Sequence, residues 1–235
     1  MIEIEIEKEI FDRFPGVVIG VVFAKNLDNS GAFPKAQELI GAEIERIRKE
    51  FTNENLSQQK KIEIWRDAYR TFGGEPKKNK SSVENLYKRI LGGNSLWKIN
   101  KIVDVYNYIS LKHMLPVGGE DLDKVKGTIR LAIAGESETP AIMLGESEAR
   151  QPHKGEVIYK DDLSTICRRW NWKEADRTKL TEETRNCILV IEGLPPVGKE
   201  EIREALSELA SIVSEACGGA LETALLDSET PRAKG

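Results

Sequence analysis

Residues 187–226, CILVIEGLPPVGKEEIREALSELASIVSEACGGALETALL, set the character of the fold. Cys187 to Ile191 is an unbroken apolar run of strand length that ends on Glu192. Ile202, Leu206, Leu209, Val213 and Ala216 then recur at three- and four-residue steps, which places them on one face of a long helix. Gly218 and Gly219 stop that helix, and Ala220–Leu226 reads as a last strand.

Working outward, short strand-like runs precede this unit at Thr128–Ala134, Ala141–Leu144 and Glu156–Tyr159, separated by glycines and acidic turns. Before them the pattern is helical. Ala36, Ile40, Ile44, Ile47 and Phe51 form one stripe. Ser57 is the expected cap of a second helix carrying Ile62, Trp65, Tyr69 and Phe72. Ser81 and Glu84 have capping-box spacing ahead of Leu86, Tyr87 and Ile90. Ile99, Ile102, Val103, Tyr106 and Ile109 mark a fourth helix, ending before Pro116. At the N-terminus, Ile2, Ile4 and Ile6 alternate with glutamates, the period of a half-buried strand. After a turn at Pro15 and Gly16, Val17–Phe23 is almost wholly apolar and β-branched, as in a strand buried on both faces. The order is strands, helices, strands, helix, strand. This predicts one α+β domain over residues 1–235, with a helical block at 34–93 inserted early and a tail at 227–235 expected to fray.

At about 150 residues per domain, the 235 residues correspond to one large domain or two small ones. A chain of that length buries roughly 72% of its unfolded surface, so its core needs no staples. Apolar residues at 40% and charged residues at 31% exclude a wholly disordered chain. No apolar run approaches about 18 residues, so no membrane partner is expected. The start, MIEIEIEKEI, lacks the basic and apolar segments of a signal peptide. Cys167, Cys187 and Cys217 form no CxxC pair, which suits a reducing cytoplasm. His113 and His153 have no partner at metal-ligand spacing, and neither metal nor cofactor is expected. A net charge of −4 argues against a grip on duplex DNA over a broad surface and leaves any nucleic-acid contact local.

Gly193 to Lys199 fits GxxxxGK, but Pro195 and Pro196 remove two N–H groups and Glu200 stands where a phosphate loop needs Ser or Thr. The reading preferred is a proline turn leading to acidic residues at a helix N-terminus. Two stretches are locally basic. Lys77, Lys78, Lys80, Lys88, Arg89, Lys98 and Lys101 face a single acid, Glu84, with Tyr87 and Trp97 interleaved. Arg168, Arg169, Lys173, Arg177 and Lys179 lie beside Trp170 and Trp172. Such patches neutralise phosphates and stack unpaired bases, or they are solvated faces whose tryptophans are buried. Asn100, Asp104 and Asn107 share a helix face, either as its wet side or with Asn107 donating into a pocket. Gly118 and Gly119 after that helix would allow a ligand close to backbone N–H groups, or form an ordinary turn. Glu192 ends its strand facing water or the mouth of a pocket, and Cys167 reads as a buried thiol.

The stretches DVYNYISL (104–111), PVGGEDLDKV (116–125) and TRNCILVIE (184–192) resemble, in order, the B3/4 domain, the tRNA-editing domain of the bacterial-type phenylalanyl-tRNA synthetase beta subunit. SSVENLYKRI (81–90) and CRRWNW (167–172) are similar to freestanding members of that family. The resemblance spans roughly 80–217, with a core taken as 94–226 most similar to the family. It implies a three-layer fold of mixed sheets with a pocket between the sheets and the helix bearing Asn107. It implies a trans-acting deacylase that removes a non-cognate amino acid from the 3′ acceptor end of tRNA. Asn107 and the Gly118 and Gly119 backbone would act on the ester, with Glu192, Tyr106 and Val117 lining the acyl site. Lys77, Lys78, Lys80, Lys88, Arg89, Lys98, Lys101, Arg168 and Arg169 would hold the nucleic acid. Tyr106 stands where the synthetase has Thr, and Gly118 where it has His. The alternatives are a non-catalytic tRNA- or RNA-binding module and a small-molecule binding protein using the same pocket.

Overall fold

The apolar run that follows Pro15 and Gly16 lies in the middle of the molecule. A computed structural model describes residues 2–235. The chain opens with β1 (Glu3–Ile6), α1 (Lys8–Arg13) and β2 (Val18–Lys25). The helical block is α2 (Pro34–Glu50), α3 (Asn53–Leu56), α4 (Lys60–Thr71) and α5 (Ser82–Leu91). Then come α6 (Lys101–His113), β3 (Val117–Asp121), β4 (Ile129–Ile133) and two short strands, β5 (Ala141–Ile142) and β6 (Ala149–Arg150). They are followed by β7 (Val157–Lys160), β8 (Thr165–Arg168), β9 (Lys173–Glu174) and β10 (Cys187–Gly193). The chain closes with α7 (Lys199–Cys217), β11 (Ala220–Leu226) and β12 (Arg232–Lys234).

Two sheets stack under a helical layer, giving an α+β fold. The central sheet runs β11-β2-β10-β3, all antiparallel. The outer sheet runs β12-β1-β4-β7-β8-β9 and is mixed, because β1 and β4 are parallel. Strand β2 feeds two cores by simple alternation. Val18, Val22 and Ala24 pack toward the helices, whereas Ile19, Val21 and Phe23 pack toward the outer sheet. On β10, Leu189 and Ile191 face the helices and Ile188 and Val190 face the outer sheet. Helix α7 lies across β2, β10 and β11, with α6 beside it and α2 packed on α6. No helix among the described residues is long and apolar enough to cross a membrane.

Several expectations need correction. The tail does not fray: Arg232–Lys234 pairs antiparallel with β1. The exposed edge of an acidic strand supplies the reason, since Arg232 and Lys234 approach Glu3 and Glu5. Ser57 caps no helix; Thr52 caps α3 through a capping box with Asn55, and α4 begins after Gln59. At α5 half of the expected box forms, with Ser81 Oγ accepting from the Glu84 N–H at 3.4 Å. The Glu84 carboxylate turns instead to Arg66, which donates through Nε at 3.0 Å and Nη2 at 2.7 Å. Asn100 lies outside the helix face and caps α6, accepting from the Val103 N–H at 3.0 Å. Asp104 is buried, held by Gln37 at 2.6 Å and the Ile99 N–H at 3.2 Å, so that face is not a wet one. Lys199 of the GxxxxGK stretch is engaged by Asp227 at 2.5 Å.

Gly20 sets how closely α7 approaches the sheet. A Cβ there would lie 2.9 Å from Ile202 Cγ2 and 3.3 Å from Leu206 Cδ1. Gly20→Val is therefore expected to destabilise the fold by about 1–3 kcal/mol through overpacking, read as a lower urea midpoint with an unchanged m-value.

Candidate functional site

A cavity of about 420 Å³ lies between the two sheets. The pairing of β3 with β10 builds its floor. Ile188 is opposite Glu120 and Val190 opposite Gly118, so these positions share one face with Glu192. Tyr159 of β7 and Cys167 of β8 form a wall, and Tyr106 and Asn107 of α6 close the other side. Trp97, 60% exposed, stands at the edge.

Glu192 is 1% exposed. Tyr159 Oη donates to its Oε1 and Asn171 Nδ2 to its Oε2, each at 2.6 Å. Tyr69 Oη donates to Asn171 Oδ1 at 2.9 Å, which leaves the Asn171 amino group facing the carboxylate. Burial pushes Glu192 up to about 7, against the pull of these donors.

The segment carrying Asn171 is held by one buried carboxylate. Glu156 accepts from Arg168 Nε at 3.0 Å, Arg168 Nη2 at 2.8 Å and the Arg169 backbone N–H at 3.0 Å. Arg169 and Trp170 follow with φ of 48° and 66°, a left-handed pair that non-glycine residues rarely adopt. The turn drives the Trp170 indole into the core, edge-on to Phe14 and Trp65 at 4.8 and 5.0 Å.

A second pair of acids lies along the floor. The Glu174 carboxyl stands over Gly118, where an added Cβ would come within 3.0 Å of Glu174 Oε1. Burial raises Glu174 to about 7 while the Gly119 N–H draws it down. Glu120 is raised well above the carboxylate range by burial and then by Glu174. Its Oε2 has no hydrogen-bond partner among the described residues. Burial, and then these two acids, keeps the Tyr106 phenol protonated far above its ordinary range.

Asn107, Tyr106, Val117, Gly118, Gly119 and Glu192 all border the cavity. Two expected roles change. Val117 pairs with Ile191, and its side chain packs in the helix-side core. Gly118 and Gly119 form a strand rather than a ligand-binding turn. The Glu192 N–H bonds the Pro116 carbonyl at 3.1 Å, so the alternation of the ladder assigns the Gly118 N–H to Val190. The Gly118 N–H is therefore not free for an oxyanion. The Gly119 N–H points away from β10 and draws the Glu174 carboxyl down. Glu120, Tyr159, Asn171 and Glu174 were missed from sequence. The only local hints were Glu120 beside the two glycines and Asn171 between two tryptophans.

The basic residues divide. Lys77, Lys78 and Lys98 are exposed, and Lys78 pairs with Glu75 at 2.9 Å. Lys80 donates to the Lys77 carbonyl at 2.8 Å, Lys88 to the Asn53 carbonyl at 3.0 Å and Lys101 to the Asp28 carbonyl at 3.0 Å. The Arg89 guanidinium stacks 3.5 Å from the Trp97 ring centroid, at the cavity's edge. Arg168 is a correction: it is 6% exposed and both arms engage Glu156, so it offers nothing to a phosphate. Arg169 is half-buried, bonded to Asn79 and lying 5.1 Å from the Trp172 centroid. Trp170 is fully buried, so only Trp97 of these tryptophans is an exposed platform.

Comparison with known proteins bears on this geometry. The family model of the B3/4 domain matches residues 64–218. The phenylalanine–tRNA ligase beta subunit of Fusobacterium nucleatum is 26% identical over 168 residues, which is 70% of this chain and 20% of that protein. The same subunit of Bordetella pertussis is 29% identical over 91 residues, 39% of this chain and 11% of that protein. The chain thus spans about a fifth or less of these relatives. An N-terminal fragment of the phenylalanyl-tRNA synthetase beta subunit from Pyrococcus horikoshii superimposes with a TM-score of 0.46 and 13% identity, covering 97% of this chain and 55% of that one.

The raised Glu192 fixes the sign of a stability effect. Its folded pKa of about 7 exceeds the ordinary 4.5, so between those values the folded state holds the proton the unfolded state has lost. Its contribution therefore falls as pH rises through that window and is level above it. The stability of Glu192→Gln relative to the parent should climb by ~3 kcal/mol between pH 4.5 and 7.5. Urea unfolding of both proteins at several pH values checks this, and a flat difference would contradict it.

Proposed function

We propose, since the chain belongs to the B3/4 domain family, that it hydrolyses aminoacyl esters and removes a non-cognate amino acid from the 3′ end of tRNA. The carrying observation is the cavity itself. It brings the half-buried Asn107, which makes no side-chain hydrogen bond among the described residues, into the same space as the buried acid Glu192, with an exposed tryptophan at the edge. A volume of about 420 Å³ falls within the range of small-ligand sites.

The chemistry asks little of the protein. An aminoacyl ester is already activated, so a positioned water and donors toward the developing oxyanion suffice. The Asn107 amide and the Tyr106 hydroxyl are the donors this reading assigns, in place of the Gly118 and Gly119 N–H groups. Tyr106 is suited to that role because it stays protonated. Glu192 accepts a hydrogen bond from the acyl side chain and selects among amino acids. Trp97, with Arg89 on its ring, gives the terminal base a stacking surface, and Lys77, Lys78 and Lys98 meet phosphates.

The test is a screen of tRNAs charged beforehand by other enzymes, with release of free amino acid as the readout. At least one mischarged tRNA should be deacylated well above the spontaneous rate. Asn107→Ala should lower kcat on it by about 10²–10³, the loss typical of an oxyanion donor. An unchanged rate removes Asn107 from the mechanism. Salt-dependent tRNA binding without amino acid release would favour a binding module instead.

A separate arm concerns the footprint. Charge reversal of Lys77, Lys78 and Lys98 together should weaken tRNA binding and flatten its salt dependence, while hydrolysis of a minimal aminoacyl ester stays intact. Undiminished affinity would make this surface structural.

A further inference from the structure

We propose that Glu120 and Glu174 together form the seat for the free α-ammonium group of the acyl substrate, at the opposite end of the cavity from Glu192. This rests on the reading of the cavity as an aminoacyl pocket and adds how that pocket tells a free amine from a blocked one.

The acids lining the cavity outnumber the cations that border it. Glu120, Glu174 and Glu192 line one cavity, yet the only lysine or arginine in its lining, Lys173, is held by Glu146 at 2.7 Å. Arg177 draws Glu120 down from outside the lining; its Nη1 and Nη2 donate to the Lys124 carbonyl at 2.7 Å, Asp161 at 2.8 Å and Ser164 at 3.1 Å, and its Nε has no partner among the described residues. Glu120 is 8% exposed and borders the cavity, with the Thr178 hydroxyl drawing its carboxyl down, and its Oε2 has no hydrogen-bond partner among the described residues. A buried carboxyl left this way is unfavourable unless it stays protonated or meets a positive charge. Burial raises both acids, as expected of a site lacking its counter-ion. Tyr106 borders the same cavity, and both acids act on its phenol.

Spacing along the floor separates the two acidic ends. Glu120 is in register with Ile188, and Glu192 lies four residues farther along β10, ~13 Å at the rise of a strand. Glu192 therefore cannot serve both ends of a small acyl group. Glu174 over Gly118 places the pair next to Tyr106. An ammonium seated there leaves the adjoining carbonyl under Tyr106 and Asn107, and sends the side chain over Val190 toward Glu192.

The experiment titrates a panel of amino-acid amides and their N-acetyl counterparts into the full chain at pH 8, followed by tryptophan fluorescence from the cavity-lining Trp97, Trp170 and Trp172. Free-amine amides should bind about tenfold or more tightly than acetylated ones, the size expected of a charge-assisted hydrogen bond. The Glu120→Gln/Glu174→Gln double variant should erase that preference. Glu192→Gln should change which side chain binds best and keep it. Equal binding of both forms, survival of the preference in the double variant, or no binding by any amide would overturn the proposal. The comparison on the parent protein decides even if the variant folds poorly. An amine preference without deacylation would leave the seat and remove the hydrolytic reading. Equal deacylation of N-acetylated and free aminoacyl-tRNA would do the reverse.

Discussion

Burial of the central sheet on both faces is the constraint from which the rest follows. A sheet covered on one side only would let Glu192 turn toward water. Here Leu189 and Ile191 are committed to the helices and Ile188 and Val190 to the outer sheet, so the next residue in the alternation must point between the sheets. Its charge can be met only by what lies there. Tyr159 comes from the outer sheet and Asn171 from the turn after β8, and together they satisfy one hydrogen bond on each oxygen. The sandwich geometry thus creates the buried acid and the two donors that make it tolerable.

The turn that delivers Asn171 shows how such a site is kept rigid. Two consecutive left-handed residues, Arg169 and Trp170, are unfavourable for a free chain and persist only where the surroundings over-determine them. Glu156 supplies that determination through three hydrogen bonds from Arg168 and Arg169, and the Trp170 indole adds a packed aromatic contact on each side. A buried ion pair adds little net stability over an apolar replacement, but removing one partner leaves a stranded charge. Its value here is conformational: it holds one backbone path, and that path carries Asn171 to Glu192.

Patterns complete within a single element were legible in the sequence. The both-faces burial of β2, the strand over Cys187–Glu192 and the stripe of α7 depend on neighbours two to four residues away, and all three appear where the periodicity puts them. Strands β8, β9 and β12 were not legible, because runs of two to four residues carry no periodicity and owe their existence to distant partners. The basic stretch at Arg168 misled for the same reason. Charge density along the chain says nothing about a buried Glu156 twelve residues earlier. At the site, Asn107 and Glu192 could be named from the resemblance, whereas Tyr159, Asn171, Glu120 and Glu174 meet only through the stacking of the two sheets.

Gly118 illustrates how a vacancy in sequence becomes a feature in space. Read along the chain, the absence of a side chain there removes a polar group from the floor of the pocket. In the fold, the Glu174 carboxyl stands over that glycine, close enough that even a methyl group would crowd it. The two facts are one steric statement: a side chain from β3 and the acid from β9 compete for the same space. The Glu174 carboxyl arrives beside a second acid, Glu120 of β3; burial raises both, and Glu174 raises Glu120 further. The size of residue 118 thus decides whether the acid from β9 can reach the floor of the cavity.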